Sequence, residues 1–177
     1  VFKSISHFKK SLLLRNQGRK MSDTSFYHEV SGFNFRMTNF QAALGLAQMN
    51  KINNLLKKRK KIFEIYKDIF KENLSLELLP IPKNTENSYW LYTLRIKKIT
   101  FLKRNKLINQ LKKRGIEIRP GFYPLSEMRP YKKFAVGNFD NSKKISYSSI
   151  SLPSSPDLSE KKLRYISKIF LKELKKI

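Results

Sequence analysis

The amino-acid sequence predicts an α/β to α+β fold, in which a long helix leads into a small antiparallel or mixed sheet with helices on one face. Three observations carry that expectation. Apolar residues between Phe40 and Phe70 recur at near-helical spacing, residues 89–97 alternate as a half-buried strand does, and Leu163, Ile166, Phe170 and Leu174 draw one stripe along a final helix.

Val1-Phe2 reads as the tail of a strand, and Ser4 stands where it caps a helix to about Leu14, with Phe8, Leu12 and Leu13 on one face. Residues 15–36 keep no period. With Asn16, Gly18, Ser22, Asp23, Ser25, Ser31 and Gly32 they read as an irregular connection, and about 20 residues without structure inside a compact domain signal either function or a mistaken assignment. Thr38 and Gln41 have capping-box spacing, and the helix they open is expected to reach about Lys71, a length of about 50 Å at 1.5 Å per residue. Its first turns are rich in small residues (Ala42, Ala43, Gly45, Ala47) that permit close approach of another element, and Lys57 to Lys61 keep a later face in water.

The last hundred or so residues read as a compact unit. Strands are expected at 76–79 and 89–97, with Trp90 packed in the core. Thr100 caps a helix to Arg114, turns Leu107, Ile108 and Leu111 inward, and ends at Gly115 in a left-handed stop. Residues 116–119 form the next strand, ended by Pro120. Residues 123–131 are loop or a short helical turn, 142–149 are weakly helical, and Ser151-Leu152-Pro153 precedes a last helix capped near Ser159. The expected organisation is 1–37, a linking helix at 38–72, and a small carboxy-terminal domain at 73–177.

Composition narrows the chemistry. Without Cys there is neither a disulfide framework nor a thiolate metal site, and only His7 and His28 offer imidazole. No apolar run approaches the roughly 20 residues that span a bilayer, and the start lacks signal-peptide order, so a cytoplasmic protein without membrane contact is expected. The net charge of +25 has two readings, a nucleic-acid-binding module or a solvated surface biased by composition. Lys, scattered over every segment instead of forming one stripe, favours the second. The six glycines never fall in a dinucleotide-binding or Walker spacing, and the 13 carboxylates form no acidic cluster.

Two polar-aromatic segments stand out from the Lys background: GFNFRMTNFQAALGLAQM at 32–49, preceded by LRNQG at 14–18, and RPGFYPLSEMRPY at 119–131. At these residues the chain closely resembles the DegT/StrS family of sugar aminotransferases, whose usual stretches are close to LRNHG, GYNYRMTDIQAALGLAQL, RPxFYPLHxxxPY and a later SLP. Here the four occur in the same order, the last at 151–153.

The resemblance implies the carboxy-terminal half of a fold type I enzyme that uses pyridoxal phosphate (PLP). Residues 1–37 then correspond to a remnant of the large cofactor domain with its active-site loop. Family members hold the cofactor as a Schiff base with a lysine placed before the position of Val1, so no residue here is assigned as catalytic and the isolated chain is expected to be silent. They are homodimers with active sites at the subunit interface. Asn34 matches an Asn that reaches the neighbour's cofactor phosphate, with a turn-forming Asn as its alternative, and Arg36 adds either a cation at that phosphate or an ion pair that fixes the loop. An amide and a guanidinium ahead of a helix start suit a dianion. Arg119, Tyr123 and Ser126 fall on the matching lip of the substrate pocket, with Ser126 where the family usually has His, and Tyr123 equally readable as a core aromatic. The reaction implied is amination of a nucleotide-diphosphate-linked keto-sugar from glutamate, similar to that of perosamine synthases. A cofactor-free remnant used for interaction is the remaining alternative.

Overall fold

The computed structural model describes residues 2–20 and 27–177. The strand expected at Val1, and Ser22, Asp23 and Ser25 of the irregular connection, lie outside the described residues. The chain divides into two compact units, Val1–Lys51 and Ile52–Ile177.

In the first unit, helix α1 (Ile5–Arg15) and helix α2 (Asn39–Met49) flank an extended segment. Ser4 occupies the cap position of α1, yet its side chain makes no cap hydrogen bond. Thr38 does what its spacing predicts: its Oγ1 accepts from the Gln41 N–H at 3.2 Å, and its own N–H donates to Gln41 Oε1 at 2.9 Å. The single helix expected over 38–71 is interrupted. Helix α2 ends at Met49 and α3 (Ile52–Phe70) begins after a turn in which the Lys51 N–H bonds back to Gln48, three residues away. Asn50 sits at that break, and Asn competes with the helix for backbone hydrogen bonds.

The second unit is built on a four-stranded antiparallel sheet in the order β1 (Leu76–Leu78), β2 (Tyr92–Ile96), β4 (Ser149–Leu152), β3 (Arg119–Pro120). Alternation in β2 sends Tyr92, Leu94 and Ile96 into the core. Their partners are the apolar stripes of three helices: Ile62, Tyr66 and Phe70 of α3, Leu107 and Leu111 of α4 (Phe101–Lys113), and Leu163, Ile166 and Phe170 of α6 (Glu160–Leu174). Tyr66 lies 4.8 Å from Tyr92 between ring centroids, and Phe70 meets Phe170 edge-on at 5.6 Å. Thr100 and Ser159 cap α4 and α6 with their hydroxyls, and Gly115 adopts φ +73° after α4.

Three further expectations need correction. Trp90 is 60% exposed instead of buried, because Tyr89 turns through the left-handed region (φ +52°) and the chain joins the sheet only at Tyr92. The strand expected over 116–119 pairs only at Arg119–Pro120, although Ile116 and Ile118 are buried. The third is β4, a strand in the middle of the sheet where the sequence suggests none. It is four residues long and buried throughout, too short for alternation to show, and the Ser151 hydroxyl is satisfied by Thr93 Oγ1 at 2.8 Å. It follows directly on α5 (Asp140–Ser148).

Candidate functional site

In the first unit the segments 14–19 and 32–36 lie side by side, and glycine makes that possible. A Cβ on Gly32 would stand 2.2 Å from the Gly18 nitrogen, and one on Gly18 would stand 1.8 Å from the Val30 carbonyl oxygen; Gly18 also has φ +76°. With no side chains between them, the backbones bond at Phe33 N–H to Leu14 O (2.7 Å), Gln17 N–H to Phe33 O (3.0 Å) and Phe35 N–H to Arg15 O (3.1 Å), and Asn16 pairs opposite Asn34. Asn16 is the hub. It is 9% exposed, donates from Nδ2 to the Arg19 carbonyl at 3.0 Å, and accepts from Arg36 Nη1 at 3.3 Å.

Asn34 and Arg36 are both exposed at the end of this ladder, two to four residues ahead of the α2 cap. Arg36 makes no ion pair among the described residues. Its one hydrogen bond of known partner is to a neutral amide, so the loop is fixed without cancelling the guanidinium charge. A neutral amide and a cation with no ion pair among the described residues, on a backbone-braced loop, can hold an anionic phosphate group.

The second unit carries 119–131, the segment expected to form the lip of the substrate pocket. Arg119, on β3, is exposed and 3.9 Å from Glu117. It lines a cavity of about 760 Å³ together with Arg59, Trp90, Lys162 and Tyr165. Tyr123 and Ser126 do not line it. Tyr123 is half exposed and meets Phe101 edge-on at 6.4 Å, while Phe122 stacks on Trp90 at 6.5 Å. Ser126 sits in a 3₁₀ turn, Leu125–Glu127, with its Oγ buried and without a hydrogen-bond partner among the described residues. The next residue, Glu127, accepts a hydrogen bond from the Tyr147 hydroxyl and lies 3.6 Å from Lys143, both on α5. That bond raises the Tyr147 pKa, which keeps the hydroxyl a donor.

Beneath the lip lies Arg104 of α4, 1% exposed. Its Nη1 donates to the Ser146 carbonyl at 2.9 Å and more weakly to the Ser149 carbonyl at 3.5 Å, Nε donates to Asn105 at 3.1 Å, and the guanidinium lies 4.9 Å from the Phe101 ring centroid. Burial lowers its pKa, and the neighbouring Tyr123 and Tyr147 hydroxyls oppose that shift.

A model of the DegT/DnrJ/EryC1/StrS aminotransferase family matches residues 1–170. The chain belongs to this family. It is 32% identical over 158 residues to the GDP-perosamine synthase of Vibrio cholerae, covering 89% of this chain and 42% of that protein. The dTDP-4-amino-4,6-dideoxy-D-glucose transaminase of Escherichia coli is 30% identical over 144 residues, covering 79% and 39%. Helicobacter pylori PseC, an aminotransferase involved in the biosynthesis of pseudoaminic acid, superposes with a TM-score of 0.82 at 27% identity, over 100% of this chain and 48% of that one. The PLP form of Spr1654 from Streptococcus pneumoniae has the same TM-score at 25% identity, over 99% and 45%. The chain therefore spans less than half the length of these relatives, and its fold is that of a partial fold type I domain of this aminotransferase family. Among the described residues no helix is long and apolar enough to cross a membrane.

Within this family member, sequence reasoning picked Asn34, Arg36, Arg119, Tyr123 and Ser126 and passed over Asn16, Arg104, Glu127 and Tyr147. A signal for Arg104 was present. Phe101, Arg104, Leu107, Ile108 and Leu111 occupy one helical face, and an Arg at a core position of an otherwise apolar stripe is a buried cation.

Proposed function

We propose that this chain supplies the phosphate-side loop and the substrate lip of a PLP-dependent aminotransferase that transfers an amino group, with glutamate as donor, to a keto-sugar carried on a nucleotide diphosphate. The observation that carries this reading is the family match across 1–170, running unbroken through the segment that presents Asn34 and Arg36. PLP, when bound, supplies the electron sink that lets an amino group pass between donor and sugar. This chain's residues act around it. The Asn34 amide and the Arg36 guanidinium bind the phosphate, Asn16 holds both in place, and the exposed ring surfaces of Phe122 and Tyr123 offer stacking to a sugar or a base. Ser126 contributes a small hydroxyl that does not titrate near neutrality, so proton transfer at the lip falls to other groups. The GDP-perosamine synthase likeness supports a 4-amino sugar as product. A homodimer and a cytoplasmic location go with this reading, as does the organisation into a cofactor-loop segment at 1–37, a linking helical stretch at 38–72 and a small domain at 73–177.

A chimera tests it. The 177 residues replace the matching segment of Vibrio cholerae GDP-perosamine synthase, and 2-oxoglutarate release is followed with that enzyme's own GDP-linked keto-sugar and glutamate. The expected outcome is turnover by the chimera, none by the 177-residue chain alone, and at least about tenfold weaker PLP retention on replacing Asn34 and Arg36 by Ala, as loss of charged hydrogen bonds implies. Unaltered PLP retention in that double variant overturns the phosphate assignment.

A further inference from the structure

A buried guanidinium without a carboxylate partner is costly, so its hydrogen bonds indicate what it is there to hold. Among the described residues Arg104 has no ion pair. Its strongest bond goes to the Ser146 carbonyl, in the last turn of α5, one of the carbonyls that a helix end leaves without an internal partner. The lip starts on the same spot. The Gly121 N–H donates to the Ser149 carbonyl at 2.8 Å, and a Cβ on Gly121 would stand 2.8 Å from the Ser146 oxygen and 2.9 Å from Ser149 Cβ. Two residues further on, Tyr123 lies against the Phe101 ring over which Arg104 is placed. Tyr147, also on α5, reaches the other end of the lip through Glu127.

We propose that Arg104 is a positioning residue for the substrate lip: from below, it joins the end of α5, β4 and Tyr123, so that 121–128 is held at both ends by α5 and keeps one shape. The proposal rests on the reading of 119–131 as the lip. Arg104 itself is buried and touches no substrate. Lysine is a poor replacement, because an ammonium has no planar face to lie over the Phe101 ring and cannot add the Nε bond to Asn105 while serving the two carbonyls.

The test uses the full 177-residue chain and its single tryptophan. Hydrogen exchange by mass spectrometry is compared in the wild type, Arg104→Met, Arg104→Lys, Tyr123→Phe and, as a control outside the lip, Ile62→Val. Arg104→Met is expected to speed exchange at least about tenfold in 121–131 and the last turn of α5 while 92–96 keeps its protection, and to shift Trp90 emission through its stack on Phe122. Arg104→Lys should fall between wild type and Arg104→Met. Tyr123→Phe should loosen 121–125 alone. Ile62→Val should leave Trp90 emission unchanged. A rise in exchange spread evenly over the whole domain, or a folded Arg104→Met with an unaltered lip, overturns the proposal. If Arg104→Met fails to fold, unaltered exchange at 121–125 in Tyr123→Phe overturns it instead. Exchange needs neither cofactor nor turnover, so it separates the two claims. A loosened lip with unchanged GDP-mannose binding by the chimera supports the role of Arg104 and removes the lip from the substrate site.

Discussion

Replacing Gly32 by Ala inserts one methyl group between two backbones, and the structure sets the consequence. The new Cβ would stand 2.2 Å from the Gly18 nitrogen, 2.6 Å from the Gln17 carbonyl carbon and 2.8 Å from the Leu14 oxygen. All three are main-chain atoms, so no side chain can swing aside, and restoring ordinary contact moves the strands apart by about 1 Å or more. That separation breaks the three hydrogen bonds linking 14–17 to 33–35. At about 1 kcal/mol each the loss is about 3 kcal/mol, or about a hundredfold in the local opening equilibrium. The Asn16–Arg36 bond, already 3.3 Å long, goes with them. Amide exchange of 14–19 and 33–36 measures the effect, with β2 as internal reference. Gly45 supplies the contrast, since a Cβ there meets nothing within 4 Å and the residue lies inside α2. Gly45→Ala should stabilise that helix by about 1 kcal/mol through propensity alone. Unaltered exchange at 33–36 in Gly32→Ala would refute the close-approach reasoning, whatever Gly45→Ala does.

Two further outcomes follow from the small domain. Glu173 is buried and accepts from Lys176 Nζ at 2.8 and 2.9 Å, with Arg114 at 3.3 Å. The Lys176 hydrogen bond is the main cause of its lowered pKa, outweighing burial, which acts the other way. Its stabilising effect is therefore complete above the ordinary carboxylate range and is lost as pH falls through the depressed native value. Melting curves of wild type and Glu173→Gln should converge in acid, and a gap independent of pH contradicts this. Phe170→Ala empties a fully buried position between α6 and α3 and should cost about 3–5 kcal/mol in urea denaturation.

What the sequence made legible was whatever has a period or a local chemical signature. The stripes of α4 and α6, the Thr38–Gln41 box, the Gly115 stop and the β2 alternation each leave a pattern within a few residues, and each is present. β4 leaves none. A four-residue strand buried on both faces has no polar side to alternate with, and its partners are separated from it in sequence by up to 60 residues, as Tyr92 and Leu152 show. The site divides in the same way. Asn34 and Arg36 stand out as an amide and a cation before a helix cap, but Asn16, which braces them, is joined to Arg36 across 20 residues of chain. Such a residue is visible only once the backbone is folded back on the two glycines.

Helix α2 shows the reverse case, a pattern that is legible but that the chain's own fold does not account for. Phe40, Leu44, Leu46 and Met49 are between 56% and 79% exposed, and no residue of α2 is buried. These residues, with the alanines between them, leave only the narrow line of Gln41 and Gln48, seven residues apart, as a polar face. A helix so largely apolar belongs inside a larger body. Two relatives that match about nine-tenths or more of this chain are more than twice its length, and in a body of that size α2 would be covered. The small residues Ala42, Ala43, Gly45 and Ala47 then take on a purpose that propensity alone does not give them. They leave room between the large side chains of α2, and a Cβ on Gly45 would meet nothing within 4 Å, so a covering backbone can approach there.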